Sequence, residues 1–279
     1  MNATAASSLR AGWRGELSLE FGKVAQRTVL RSRQHTGPLL VQRPFYPEGH
    51  PDNDPCHLYL IHPPGGVVGG DELQINVRVD RGAHALLTTP AAGKFYRSLG
   101  AEARFTQDFA VCDADLEWLP QENIYYSGTA ARVSTRLQLH GQSRALCWEI
   151  GCLGLPASNA AFAAGAVRQS LELWQDGQPL LIDQLVLRPE ALPARWGLAG
   201  QVALGTLLCF PADAEQLQKV RALLAEHPYA GVTLVERMLI CRVLAPRADQ
   251  LRELFVRLWS VLRPGLFNRA AVAPRIWAT

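Results

Sequence analysis

Leu73-Gln74-Ile75-Asn76-Val77-Arg78-Val79-Asp80 places an apolar residue at every second position and a polar one between. Successive side chains of an extended chain point to opposite sides, so the apolar groups share one face of a pleated strand and the polar groups the other. One face is buried and one is wet. Similar short runs (LSLEFG, TVLRSR, CHLYLIH, HALLTT, ARFTQDFAV, LEWLP, RVSTRLQLHG, LCWEIG) fill residues 13–150 between Gly, Pro and Asp punctuation, which is strand length with turn spacing. After Gly165, AVRQSLELWQDG and PLLIDQLVLRPE flank Gln175-Asp176-Gly177-Gln178, a hairpin signal of Asp-Gly type. The chain is mostly β up to this point.

Helical periodicity enters late. Asp213 is placed to cap a helix with Gln216 as its capping-box partner, and Leu217, Val220, Leu223 and Leu224 trace a stripe that Pro228 ends. A second helix is expected over about 248–262, where Leu251, Leu254, Phe255, Leu258, Trp259 and Leu262 recur on one face before Pro264-Gly265. Gly231 to Leu244 between them reads as one or two buried strands. The helices are expected to pack over part of the sheet.

An internal echo runs through the β region. Leu86, Leu116 and Leu146 stand 30 residues apart, and the first two are followed by Pro90 and Pro120, then Tyr96 and Tyr126. Each unit is then one coil of a stacked β-solenoid, unless the echo is chance similarity among short apolar strands. No Pro-, Gly- or Ser-rich linker divides the chain, so residues 1–279 are read as one domain.

Composition narrows the function classes. Of 279 residues, 48% are hydrophobic and only 19% charged, which supplies a large core and rules out disorder. The formal net charge of +3 is too small and scattered for a nucleic-acid or anionic-membrane footprint. No apolar run is long enough to span a bilayer, and MNATAASSLRAGWRG lacks the apolar core of a secretion signal, so a cytoplasmic location is expected. The six cysteines (Cys56, Cys112, Cys147, Cys152, Cys209, Cys241) lie far apart and read as buried thiols.

The most shaped segment is His62-Pro63-Pro64-Gly65-Gly66-Val67-Val68-Gly69-Gly70-Asp71. Its spacing superficially matches a phosphate loop, but Asp71-Glu72 stand where Lys-Ser/Thr are needed and no helix follows. Cys56, His57 and His62 do not form a tight chelate on a straight strand. No nucleophile elbow, zincin, kinase or dinucleotide fingerprint is present. What remains are acids embedded among apolar residues: Asp71, Glu117, Glu122 and Glu149. A buried carboxylate costs several kcal/mol unless paired, hydrated or bound to a cation, so each needs a reason; for Glu117 and Glu149 the bland reason is a wet face.

HPPGGVVGGDELQINVRVDRGAHALLTTPAAGKFYRS, LEWLPQENIYYSGTAA and PRIWAT, at residues 62–98, 116–131 and 274–279, closely resemble the urease accessory protein family UreD, also called UreH. Pro63, Pro64, Gly65, Gly66, Gly69, Gly70, Lys94 and Tyr96 carry the loop part of that match. The resemblance implies a mainly β single domain of stacked sheets, like a β-helix or solenoid, with two α-helices near the C-terminal end. It implies a non-enzymatic maturation factor that binds apo-urease and, through a UreF-like helical adaptor, a UreG-like GTPase that supplies nickel; a dimer of such heteromers is one arrangement. No stably bound cofactor is implied, only Ni²⁺ in transit through an internal wet passage. This chain departs from the family at Ala91-Ala92-Gly93-Lys94, usually Ala-Ala-Thr-Lys, and at Gly151 to Ser158, almost neutral here and usually charged.

A chain with few charges and no catalytic constellation suits an obligate partner-binding protein, which should aggregate when expressed alone. His62, Asp71, Glu117, Glu122 and Glu149 are the candidates to line the path, since carboxylate and imidazole attract a divalent cation yet release it. Two rival readings are a stand-alone metal-storage module and a β-scaffold hydrolase using Ser127 and His140.

Overall fold

A computed structural model describes residues 12–49 and 54–278. Residues 1–11, on which the expected location partly rests, lie outside the described residues.

The strands are β1 (Arg14–Val24), β2 (Arg27–Thr36), β3 (Leu40–Val41), β4 (Cys56–Ile61), β5 (Glu72–Val79), β6 (His84–Thr88), β7 (Gly93–Phe95), β8 (Ala103–Cys112), β9 (Asp115–Trp118), β10 (Asn123–Tyr125), β11 (Thr129–His140), β12 (Arg144–Leu153), β13 (Gly165–Gln175), β14 (Gln178–Leu187), β15 (Ala203–Phe210), β16 (Ala230–Val235) and β17 (Met238–Ala245). The helices are α1 (Ala214–Leu224) and α2 (Ala248–Phe267). One sheet runs β14-β13-β11-β8-β5-β1-β2, the other β16-β17-β15-β12-β9-β6-β4-β3, with β10 bridging β12 and β7.

The chain alternates between the sheets: β4, β6, β9 and β12 stack in parallel in one, while β5, β8, β11 and β13 stack in parallel in the other. Each crossing and return is one coil, so the solenoid reading holds and the chain is mainly β. The register corrects the echo in detail. Leu86 pairs with Glu117 and Glu117 with Leu146, whereas Leu116 pairs with Ala85 and Ala145. Leu116 therefore faces the opposite side from the other two leucines, because a shift of one residue reverses the face. The aromatic echo survives: Tyr96 and Tyr126 stack with ring centroids 4.8 Å apart.

Between the sheets lies one apolar core, including Leu17, Ile75, Val77, Phe109, Trp118, Leu137 and Leu173. Outside the second sheet lies another, in which Leu146, Trp148 and Leu207 meet Leu217, Phe255, Leu258 and Trp259 of the helices. This explains the unbroken apolar runs of β6 and β15: both of their faces are covered, while β5 and β11 keep a wet face and alternate.

Local signals act as expected at most ends. Asp213 and Gln216 exchange both capping-box hydrogen bonds at 2.9 Å. Asp176 and Gly177 adopt positive φ in the β13–β14 hairpin, and 231–244 forms a two-stranded hairpin in which β17 is largely buried but β16, at the sheet edge, has no buried residue. The second helix runs past its expected end, through Pro264 to Phe267. Proline removes one helical N–H, but the last turn buries Leu266 and Phe267, and Asn268 closes it by donating to the Pro264 carbonyl. No helix among the described residues is long and apolar enough to cross a membrane.

Candidate functional site

The polar groups of the molecule separate into two places on opposite faces of the second sheet. The first is a cavity of about 330 Å³ between the sheets, lined by His62 to Val67, Ala91 to Phe95, Gln107, Trp118, Gln121, Asn123 and Glu149 among others. It reaches the surface beside Pro63, Gly65 and Lys94, which are exposed. The motif loop shapes that mouth by joining β7: Val67 N donates to Lys94 O at 2.7 Å, and Tyr96 Oη donates to Gly65 O at 3.0 Å. A Cβ at Gly66 would lie 2.6 Å from Lys94 O, so the close approach requires glycine there.

Behind Glu149 lies a second, much smaller pocket of about 10 Å³, room for about one water-sized sphere, lined by Glu149, Gln169, Leu171, Asp183, Leu185, Leu204 and Thr206. Glu149 lines both spaces. Two polar rows run across the strands here. In one sheet Gln107 is registered with Thr135, Thr135 with Leu171, and Leu171 with Asp183; in the other Glu149 is registered with Thr206 and Thr206 with Arg242. Gln107 Nε2 donates to Thr135 Oγ1 at 3.1 Å, the Thr135 hydroxyl donates to Glu149, and Arg242 pairs with Asp183 at 2.7 Å. Burial pushes the Glu149 carboxyl up to about 7, opposed by the Thr135 hydroxyl and reinforced by the negative charge of Asp183. Burial lowers the pKa of His62, against the pull of Asp71.

The second place is an ion cluster under α2. Glu117 is fully buried, which removes the wet-face explanation for it. Arg263 Nε reaches both its oxygens at 3.0 Å, Trp259 Nε1 donates at 2.6 Å, and His84 Nε2 lies 2.8 Å away. Arg263 also pairs with Glu48, whose other partners are His57 at 3.0 Å and Arg269 at 3.7 Å. Burial alone would raise the Glu117 pKa, but the His84 hydrogen bond and the Arg263 charge outweigh it and hold the carboxyl down at about 2. With both Glu117 oxygens hydrogen-bonded, the cluster fastens α2 to the sheet.

Of the sequence candidates, His62 and Glu149 reach the cavity. Asp71 instead fixes the motif loop, accepting from Val68 N and Trp13 N at 2.8 Å each. Glu117 is occupied by Arg263. Glu122 points away from its neighbours Gln121 and Asn123, into a surface cleft with Cys152 and Asp249 near the start of α2. Gln107, Thr135, Asp183, Thr206 and Arg242 were not read from the sequence. Their signal is a polar residue on the apolar phase of a strand: Gln107 lies between Phe105 and Phe109, Thr135 between Val133 and Leu137, Asp183 between Leu181 and Leu185.

The hydrolase pair does not assemble. Ser127 Oγ accepts from Ala163 N and Ala164 N at 3.1 and 3.2 Å just before β11, while His140 ends that strand beside Asp176. Among the described residues no three His, Cys, Asp or Glu side chains converge as a metal site.

A two-sheet solenoid with helices on one face and a cavity between its sheets, in which no proposed catalytic pair assembles, is a scaffold-like architecture. The model of the UreD urease accessory protein family matches residues 13–278. The urease accessory protein UreD of Citrobacter koseri is 44% identical over 281 aligned residues, covering 100% of this chain and 96% of that protein. Those of Klebsiella aerogenes and Pseudomonas putida W619 are also 44% identical, over 97% and 96% of this chain and 98% and 95% of theirs. The chain belongs to the UreD family, whose members are non-enzymatic accessory proteins.

Proposed function

We propose that this chain matures urease by conducting Ni²⁺ between its two sheets, from partner proteins into the active site of apo-urease. The partners are a UreF-like adaptor and, through it, a UreG-like GTPase, and the setting is the cytoplasm, where reducing conditions keep its buried thiols unpaired. Family membership supports the role in urease maturation. The observation that carries the conduit is the set of polar groups, Gln107, Thr135, Glu149, Gln169, Asp183 and Thr206, that two facing sheets bring together beside a largely apolar core.

A divalent cation that enters the small pocket beside Glu149, with room for about one water, must exchange part of its hydration shell for protein oxygens. Carboxylate, amide and hydroxyl groups replace it without binding as tightly as a set of thiolates or imidazoles. Two carboxylates suffice for attraction and are too few for a resident site. His62 stands near the mouth, Glu149 between the cavity and the small pocket, and Asp183 in that pocket. Asp71 acts on the path only by shaping the loop.

The test is urease activation in a system reconstituted with apo-urease, the adaptor, the GTPase and Ni²⁺. Glu149→Ala is expected to lower nickel loading at least several-fold while the complex still assembles. Wild-type loading by Glu149→Ala and by Asp183→Asn would remove the conduit.

A further inference from the structure

Asp183 and Arg242 come from different sheets. Asp183 lies on β14, the edge strand of one sheet, and Arg242 on β17, next to the edge of the other. Asp183 lines the narrow pocket, and its 2.7 Å contact with Arg242 bridges the two sheets beside it. The two side chains differ in freedom: that of Asp183 is 14% exposed, that of Arg242 50%. The residue registered with Arg242 on β16 is Gly231, and the position its Cβ would take has no atom within 4 Å. The guanidinium therefore has open space beside it on the same face, away from Asp183.

We propose that Arg242 is a latch on this end of the passage, a reading that rests on the conduit proposed above. With the guanidinium on Asp183, the end carries a fixed positive charge in the place a cation must cross, and the carboxylate is already neutralised. Like charge and lost coordination both act against exit. A cation leaves when the guanidinium turns outward over Gly231 and frees Asp183 as an oxygen ligand. Arg242 so keeps Ni²⁺ from escaping to solvent until a receiving surface covers this edge.

The experiment uses the full chain in complex with the adaptor and the GTPase, loaded with Ni²⁺. EDTA is added, then apo-urease, and the urease activity that survives is measured against EDTA concentration. Arg242→Gln is expected to need several-fold less EDTA than wild type to lose half its activation, and Arg242→Lys to stay near wild type. Gly231→Val fills the space for the swing and is expected to slow activation several-fold when EDTA is omitted. Equal EDTA sensitivity of Arg242→Gln and wild type, or wild-type speed of Gly231→Val, overturns the latch. The conduit variants separate the two ideas. If Glu149→Ala fails to activate while Arg242→Gln behaves as wild type, the latch alone falls; if Glu149→Ala and Asp183→Asn both activate normally, the conduit falls and the latch with it.

Discussion

Glu117 on β9 and Glu149 on β12 stand on adjacent parallel strands, and their carboxylates leave the sheet on opposite faces. Glu117 is registered with Leu146, so Glu149 is an odd number of positions further along and faces the other way. One carboxylate meets Arg263 and is held strongly acidic; the other meets a narrow polar pocket and titrates at about 7. The same residue type on neighbouring strands thus serves as a rivet on one face and lines the cavity on the other.

Removing the rivet leaves Arg263 buried without its main partner. Breaking a buried pair by deleting one member costs about 3–5 kcal/mol. Glu117→Ala is therefore expected to lower the stability of the complex by about that much and to loosen α2. The thermal midpoint and hydrogen exchange along 248–267 measure both effects.

Acid should act through the same cluster. The folded-state pKa values of Glu117 and Glu48 lie below the ordinary carboxylate value, so their contribution is present above that value and is lost as pH falls through the folded values. For Glu117 the window runs from 4.5 down to about 2. Glu117→Gln is expected to flatten the stability curve in that window, as read by urea midpoints at a series of pH values.

Glu149 carries the reverse sign. Its folded pKa is raised from 4.5 to about 7, so its contribution is complete below 4.5 and fades as pH rises through about 7. Glu149→Gln should then be more stable than wild type at pH 8, by about 1–3 kcal/mol, with the gain vanishing toward pH 4.5. Equal midpoints at pH 8 would contradict the burial of this carboxyl.

The C-terminal motif has a packing role. Trp277 donates from Nε1 to Thr88 Oγ1 at 2.9 Å and packs at a tilt against Trp148 and edge-on against Trp259, with centroids 5.7 and 5.5 Å away. Trp277→Ala is expected to cost about 2–4 kcal/mol and to quench less of the Trp148 and Trp259 fluorescence. A near-UV circular dichroism spectrum unchanged in the tryptophan region would refute this packing.

Much of the fold is legible in the sequence because it depends on periodicity and short-range chemistry. Alternation in 73–80 gave a half-buried strand, Asp176-Gly177 a hairpin, and Asp213 with Gln216 a helix start, all of which need only neighbours in the chain. Where neighbours were not enough, the reading slipped. Pro264 marks the end of an isolated helix, yet the apolar surface waiting for Leu266 and Phe267 carries α2 on by several residues.

The candidate site divides in the same way. The motif loop and the family were open to reading, as was the oddity of acids in apolar strands. Which acids share a cavity was not, because Gln107, Thr135, Asp183, Thr206 and Arg242 are brought together by strand register across separate coils and by the facing of two sheets. Period-two geometry decides locally that a side chain points up or down; only the stacked structure decides whether that direction leads to Arg263 or to the cavity.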